Sequence, residues 1–236
     1  MITTLTPSPS IDFDYVLASL KLGGVNRAAA FGLHAGGKGV NVSRILTLMK
    51  VNNIALVPMA KENGDFFLNA AESENLRLDI LPIGSPLRFN VSLVHEGLTT
   101  KVNAESSSWT LAEAKKIAGR FKVRARRSEF AVIGGSLPAG LDPAWLAKLV
   151  SDNANRTKVV VDCSGDVLRA AVAAKPFLIK PNQEEAETLV GSAISTMADA
   201  VSTCFEMVAM GAQNVLLSLG EKGSLFYNGE TIFRAQ

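Results

Sequence analysis

The chain has 236 residues, 47% of them apolar, and its 24 Lys and Arg against 22 Asp and Glu give a net charge of +2. That apolar share supports a sizeable core and excludes global disorder, while the near-balanced charge argues against a general nucleic-acid or membrane binder. The two cysteines, Cys163 and Cys204, give no basis for a disulfide framework or a zinc site and suit a reducing compartment.

Residues 1–7 lack the basic start and long apolar core of a signal peptide, so residues 2–6 read as a first strand, ended by Pro7 and Pro9. No run approaches the ~18 apolar residues of a membrane span. The expected location is the cytoplasm, with no nucleic-acid or membrane partner. Residues 11–20 alternate loosely before the Gly23-Gly24 turn, and residues 28–34 lead as a strand into Gly36-Gly37-Lys38-Gly39. A helix over 39–50 follows at once, with Val40, Ile45, Leu46, Leu48 and Met49 as its apolar positions. Two readings of the glycine cluster stand. It is an anion cradle at a helix start, with Lys38 adding charge, or a tight turn whose glycines solve a steric problem. It is not a Walker A loop, because no Gly-Lys precedes Ser or Thr, and the dinucleotide spacing fails at Val42.

Residues 53–59 form a compact apolar strand, and 65–74 a helix with Phe66, Phe67, Ala70 and Ala71 near one face. Strands are predicted over 78–83, 89–95 and 99–102, with a turn at Glu96-Gly97. Residues 110–120 read as an amphipathic helix capped by Ser108 or Thr110. The basic run from Lys115 to Arg127 reads as the solvated face and exit loop of that helix. Strands over 130–133, 158–162, 177–180 and 215–218 then alternate with helices over 143–151, 167–174, 184–189 and 198–210, and a hairpin opens at 224. Asp142 with Pro143 marks one helix start. Continuous β-branched runs in strict alternation with helices predict an α/β fold, a parallel sheet covered on both faces. The half-polar, hairpin-linked segments at 11–30 and 87–102 predict a small separate sheet.

Ligands of parallel α/β sheets bind beyond the carboxyl ends of the strands. Four successive strands here end in Gly134-Gly135-Ser136, Asp162 with Ser164, Lys180-Pro181-Asn182, and Ser218 with Gly220. Together they suggest a polar anionic ligand along that edge. Asn182 and Glu185, three apart at a helix start, suit a hydrated Mg²⁺ beside phosphates. They equally suit a capping box, and the two readings are compatible.

Taken in order, these motifs resemble the ribokinase-like (PfkB) sugar kinases over nearly the whole chain. The matching stretches are Thr6-Pro7-Ser8-Pro9-Ser10-Ile11-Asp12, Gly36 to Arg44, Gly135 to Gly140, Asp162 to Gly165, Lys180-Pro181-Asn182 with Glu185, and Ser218-Leu219-Gly220 with Gly223. The nearest branch holds 1-phosphofructokinase, tagatose-6-phosphate kinase and the minor 6-phosphofructokinase. The resemblance implies a single three-layer α/β/α domain over 1–236, with a mainly parallel sheet and a small β-sheet lid from about 11–32 and 87–103. It implies ATP-dependent phosphorylation of a phosphorylated ketohexose with Mg²⁺, foremost fructose 1-phosphate to fructose 1,6-bisphosphate. Tagatose 6-phosphate and fructose 6-phosphate are the alternatives. By the same resemblance, Asp12, Gly37, Lys38, Gly39 and Asn41 hold sugar hydroxyls. Arg88 and Asn90, with Lys101, serve the sugar phosphate, assisted by Ser136. Lys180 and Asn182 serve the ATP phosphates, Ser218, Gly220 and Gly223 line the nucleotide, and Glu185 holds Mg²⁺ through water. A homodimer through the lid is implied. Two departures stand out: Ala104-Glu105-Ser106 replaces the usual Glu-Pro-Gly, and the family's Gly-Ala-Gly-Asp stretch, with its catalytic Asp, does not occur. The expectation is that this stretch lies beyond Gln236, that the C-terminal part of the fold is missing, and that the span alone binds its ligands with little turnover.

Overall fold

The computed structural model describes residues 1–235. The chain begins with β1 (Ile2–Leu5), β2 (Ser10–Val16), β3 (Ala30–Gly36), α1 (Lys38–Leu48), β4 (Asn53–Met59), α2 (Gly64–Ser73) and β5 (Leu78–Pro82). A hairpin of β6 (Arg88–His95) and β7 (Leu98–Asn103) precedes α3 (Leu111–Ala125). Then strand and helix alternate: β8 (Phe130–Gly134), α4 (Pro143–Ser151), β9 (Lys158–Asp162), α5 (Gly165–Ala173), β10 (Leu178–Ile179), α6 (Gln183–Val190), α7 (Met197–Ala209) and β11 (Val215–Ser218). The hairpin of β12 (Ser224–Tyr227) and β13 (Ile232–Ala235) closes the series.

The predicted α/β architecture is present. Nine strands form one sheet in the order β13-β12-β11-β10-β9-β8-β1-β4-β5, parallel from β5 to β11, with the antiparallel β12–β13 hairpin at one edge. All seven residues of β4 are buried. Leu56 enters one core cluster with α3, while Ala55, Val57 and Met59 enter another with Val40 of α1 and Phe67, Ala70 and Ala71 of α2. Alternate side chains thus pack on opposite faces, which is why this strand reads as an unbroken apolar run. The second sheet has the order β3-β2-β6-β7, with β2 and β6 parallel and both hairpins antiparallel.

Caps set the helix starts. Asp142 accepts from the Ala144 N–H at 2.7 Å, with Pro143 at the first helical position. Thr110 and Glu113 form a reciprocal capping box for α3, which decides between Ser108 and Thr110. That helix runs to Ala125, beyond the predicted end at 120, and this changes the reading of the basic run. Arg120 and Arg124 lie not on a purely solvated face but against Asp79 of β5, at 2.9 and 2.5 Å. Strand β10 shrinks to the two residues Leu178–Ile179, although the Lys180 N–H still reaches the Val161 carbonyl of β9 at 3.1 Å. Two helix faces also differ from expectation. Ile45 and Leu48 of α1, and Met49 at its C-terminal cap, are exposed, with Gly39, Val40 and Ser43 turned inward instead. Phe66 lies apart from its buried neighbours and meets Phe89 of the small sheet edge-on at 6.5 Å.

Candidate active site

From β1 the main sheet extends in both directions, through β4 on one side and β8 on the other. Such a switch point leaves a crevice at the carboxyl ends of the strands, and the start of α1 sits in it. The Thr6 hydroxyl, just past β1, accepts from the Val40 N–H at 2.8 Å. A Cβ on Gly39 would stand 2.6 Å from the Leu5 carbonyl oxygen. Gly37 has φ +118°, and its Cβ would collide with the Thr6 methyl. The steric reading of these two glycines is therefore correct: they let α1 seat against β1. Lys38, at the first position of the helix, is held in the crevice as a consequence.

Two cavities meet at Lys38. The larger, about 570 Å³, is lined by Lys38, Asn41, Asp162, Lys180, Asn182 and Glu185, with the apolar side chains of α1 as a wall. Lys38 Nζ lies 2.8 Å from Asp162 Oδ1 and 3.4 Å from Glu185 Oε1, and Lys180 Nζ lies 3.4 Å from Asp162 Oδ2. Burial alone lowers the Lys38 pKa, but hydrogen bonds and charge from Asp162, and then from Glu185, hold it above the ordinary lysine value of 10.5. Glu185 has two partners: its Oε2 accepts from the Asn182 N–H at 2.9 Å, while Asn182 Oδ1 accepts from the Glu185 N–H at 2.8 Å. The capping box therefore exists and fixes Glu185 so that its other oxygen faces Lys38. Neighbouring Cys163 is buried, and burial, with the Asp162 charge next, pushes its thiol up to about 12. It stays protonated and takes no nucleophilic role.

The smaller cavity, about 460 Å³, runs from Lys38, Asn41 and Glu185 to the small sheet, where Asp12, Arg88, Asn90 and Lys101 line it with Gly37 and Ser136. Asp12 Oδ1 accepts from the Ser10 hydroxyl at 2.7 Å and from Asn90 Nδ2 at 2.9 Å. Arg88 is turned inward, with Nη1 3.2 Å from the Ala104 carbonyl. Burial draws its pKa below the ordinary arginine value, against the opposing charge of Asp12. Arg88 Nε, Asn90 Oδ1 and Ser8 Oγ are buried without a hydrogen-bond partner among the described residues. Unpaired buried donors and acceptors are costly, so this cluster fits a polar, anionic ligand.

Most of the candidate residues thus converge. Asp12, Gly37, Lys38, Asn41, Arg88, Asn90, Lys101 and Ser136 line the smaller cavity, and Lys180, Asn182 and Glu185 the larger. Gly39 lies beneath them in the β1–α1 contact. Ser218, Gly220 and Gly223 line neither cavity; Ser218 bridges to Asn182, and the two glycines turn the short 3₁₀ segment Gly220–Lys222. Asp162, which joins both lysines, received no role in the sequence reading. Its signal was its place at a strand end, but its partner Lys38 is 124 residues away. Ser8, Ser10 and Asn103 were also missed as lining residues. Among the described residues, no three His, Cys, Asp or Glu side chains gather as a metal cluster. The carboxylates of Asp162 and Glu185 beside two lysines fit instead a Mg²⁺ that draws its ligands from water and phosphate.

The model of the pfkB family of carbohydrate kinases matches residues 8–236. The chain belongs to that family. Among curated proteins, it is 31% identical over 236 residues to the 1-phosphofructokinase of Borreliella burgdorferi, covering all of this chain and 76% of that one. It is 30% identical to the 1-phosphofructokinase of Bacillus subtilis, again over the whole chain and 77% of the relative. Among solved structures, phosphofructokinase-2 from Escherichia coli in complex with fructose-6-phosphate superposes with a TM-score of 0.90 at 27% identity, over 99% of this chain and 78% of that chain. The family together with these phosphofructokinase relatives identifies a sugar-phosphate kinase, and the superposition identifies the ribokinase-like fold. No helix among the described residues is long and apolar enough to cross a membrane.

Proposed function

We propose that the chain serves transfer of the ATP γ-phosphoryl group to a phosphorylated ketohexose, foremost fructose 1-phosphate to give fructose 1,6-bisphosphate. The observation that carries this reading is Lys38, whose ammonium stands where the two cavities join. The smaller cavity takes the sugar phosphate: Arg88 and Asn90, with Lys101, face the phosphate, and Asp12 and Asn41 face hydroxyls. The larger takes the phosphates of ATP against Lys180 and the start of α6. Ser218, Gly220 and Gly223 belong on this reading to the nucleotide's outer reach, beyond the larger cavity. Glu185 through water, with Asp162 beside it, would hold Mg²⁺, which supplies charge neutralisation on the transferring phosphoryl group when bound. Phosphoryl transfer rests on positioning and charge stabilisation. Lys38 serves both sides, keeping two anionic ligands close without repulsion. The small sheet, formed by segments at 11–32 and 87–103 of a single domain, acts as a lid and pairs with that of a second copy. The setting is the cytoplasm.

A second reading, binding with weak turnover, is favoured by the acidic side chains. Asp12, Asp162 and Glu185 are the carboxylates lining the cavities, and each is already held by hydrogen bonds or lysines. None of the three stands free as the base that orients a hydroxyl. Titration calorimetry together with a steady-state assay of ADP release, each with fructose 1-phosphate, fructose 6-phosphate and tagatose 6-phosphate, tests both readings. Binding of the preferred ketohexose phosphate and ATP with slow ADP release supports the second; rapid turnover overturns it and leaves the first. Absence of binding by all three sugars defeats both.

A further inference from the structure

Arg44 lies on α1, one turn after Asn41, and is largely enclosed. Its Nε donates to Glu74 Oε2 at 2.7 Å, its Nη2 to the carbonyl of Ala35 at 2.5 Å, and its Nη1 to Asn41 Oδ1. These three acceptors belong to different parts of the fold: the end of α2, the end of β3 just before the glycine turn, and the cavity face of α1. Ala35 is fully buried, and Arg44 brings a donor to its carbonyl. Glu74 is held in turn, with Oε1 3.5 Å from His34 Nδ1 on β3, whose Nε2 lies 3.5 Å from Asp14 on β2.

The consequence falls on Asn41, which lines both cavities. An amide side chain has an accepting end and a donating end, and the two are told apart only by their partners. A guanidinium only donates, so the atom facing Arg44 must be the oxygen. We infer that Arg44 is a positioning residue that fixes the Asn41 carboxamide with its NH₂ toward the cleft. Asn41 then presents donors alone, and recognises a lone-pair oxygen of the acceptor sugar rather than a hydroxyl proton. Glu74 anchors the guanidinium so that it cannot swing away. The ligand side of this inference rests on the proposed function, whereas the amide orientation does not.

Two readouts separate those parts. The first is the Asn41 side-chain NH₂ pair in nitrogen–proton spectra of the ligand-free full chain. The second is calorimetric titration with fructose 1-phosphate and, separately, ATP. Arg44→Met is expected to move the Asn41 pair toward the free-amide position and to weaken fructose 1-phosphate binding about tenfold, with ATP affinity changed less than about twofold. Arg44→Lys keeps the charge pair with Glu74 but lacks the fork to Asn41. It should restore the melting temperature without restoring either readout, and it carries the test if Arg44→Met does not fold. In an Asn41→Ala background, Arg44→Lys should cost no further sugar affinity. An unmoved Asn41 resonance, an equal loss for both ligands, or full rescue by lysine overturns the inference. A wild-type chain that binds no sugar phosphate defeats the functional reading instead, and the amide resonance still decides the role of Arg44.

Discussion

Lys38 is the residue on which two cavities and two carboxylates converge. Its pKa is raised in the fold, so its ion pairs contribute stability that is fully present below the unfolded value of 10.5 and fades as pH rises through the higher folded value. Urea melts above pH 10.5 should show this loss in the wild type and not in Lys38→Met. At neutral pH the same substitution is expected to weaken both ligands by about 10- to 100-fold, the worth of a charge-assisted hydrogen bond of about 1.5–3 kcal/mol. Asp79 behaves in the opposite sense. Burial raises its pKa, but hydrogen bonds from Arg120 and Arg124 prevail and hold it below 3.8. Its contribution is present above that value and is lost as pH falls through the lower folded one. Asp79→Asn should cost about 1–2 kcal/mol by urea unfolding at pH 7, because it removes the charged acceptor of Arg124, while the exposed Arg120 is rehydrated by water. A loss below about 0.5 kcal/mol would show the pair to be no more than a surface contact.

At the scale of elements, the junction of β1 and α1 places the site. A Cβ at Gly37 is excluded both by φ +118° and by the Thr6 methyl, so Gly37→Ala should destabilise the fold by about 1–3 kcal/mol. It should also displace Lys38, lowering ATP and sugar-phosphate affinity together. Unchanged melting temperature and affinities would contradict this packing. Elements of this kind were legible where their signals are local. The Asp142-Pro143 and Asn182/Glu185 starts, the apolar run of β4 and the hairpin of β6 and β7 all announce themselves within a few residues. What was not legible depends on distant neighbours. The inward face of α1 is chosen by β1 and the residue after it: Gly39 fits against the Leu5 carbonyl, the Val40 N–H meets the Thr6 hydroxyl and Ser43 meets Thr4, so Ile45 and Leu48 turn outward. Asp162 becomes a hub only when β9 is laid beside β8 and β1 brings Lys38 across. The Arg120 and Arg124 pair needs β5 alongside α3.

For the molecule as a whole, the switch point beside β1 explains why a fold with ordinary βα loops has one crevice with so many charged groups. The small sheet closes one side of that crevice with Asp12, Asn90 and Lys101. Its other face carries the aromatic row Phe31, Tyr15, Phe13 and Phe89, with successive ring centroids 5.8–6.3 Å apart and Phe31 65% exposed. A row of that kind suits the proposed pairing with a second copy. Phe31→Arg should then convert a dimer to a monomer in sedimentation velocity, and a monomeric wild type would refute the pairing. The proposal that joins these scales is that one cleft holds acceptor and donor on either side of Lys38. Titration calorimetry of fructose 1-phosphate and of Mg–ATP, each alone and each after saturation with the other, tests it most directly. The predicted result is one site for each ligand, both occupied at once, and both weakened in Lys38→Met. Competition between the two for a single site, or no binding of Mg–ATP, would contradict it.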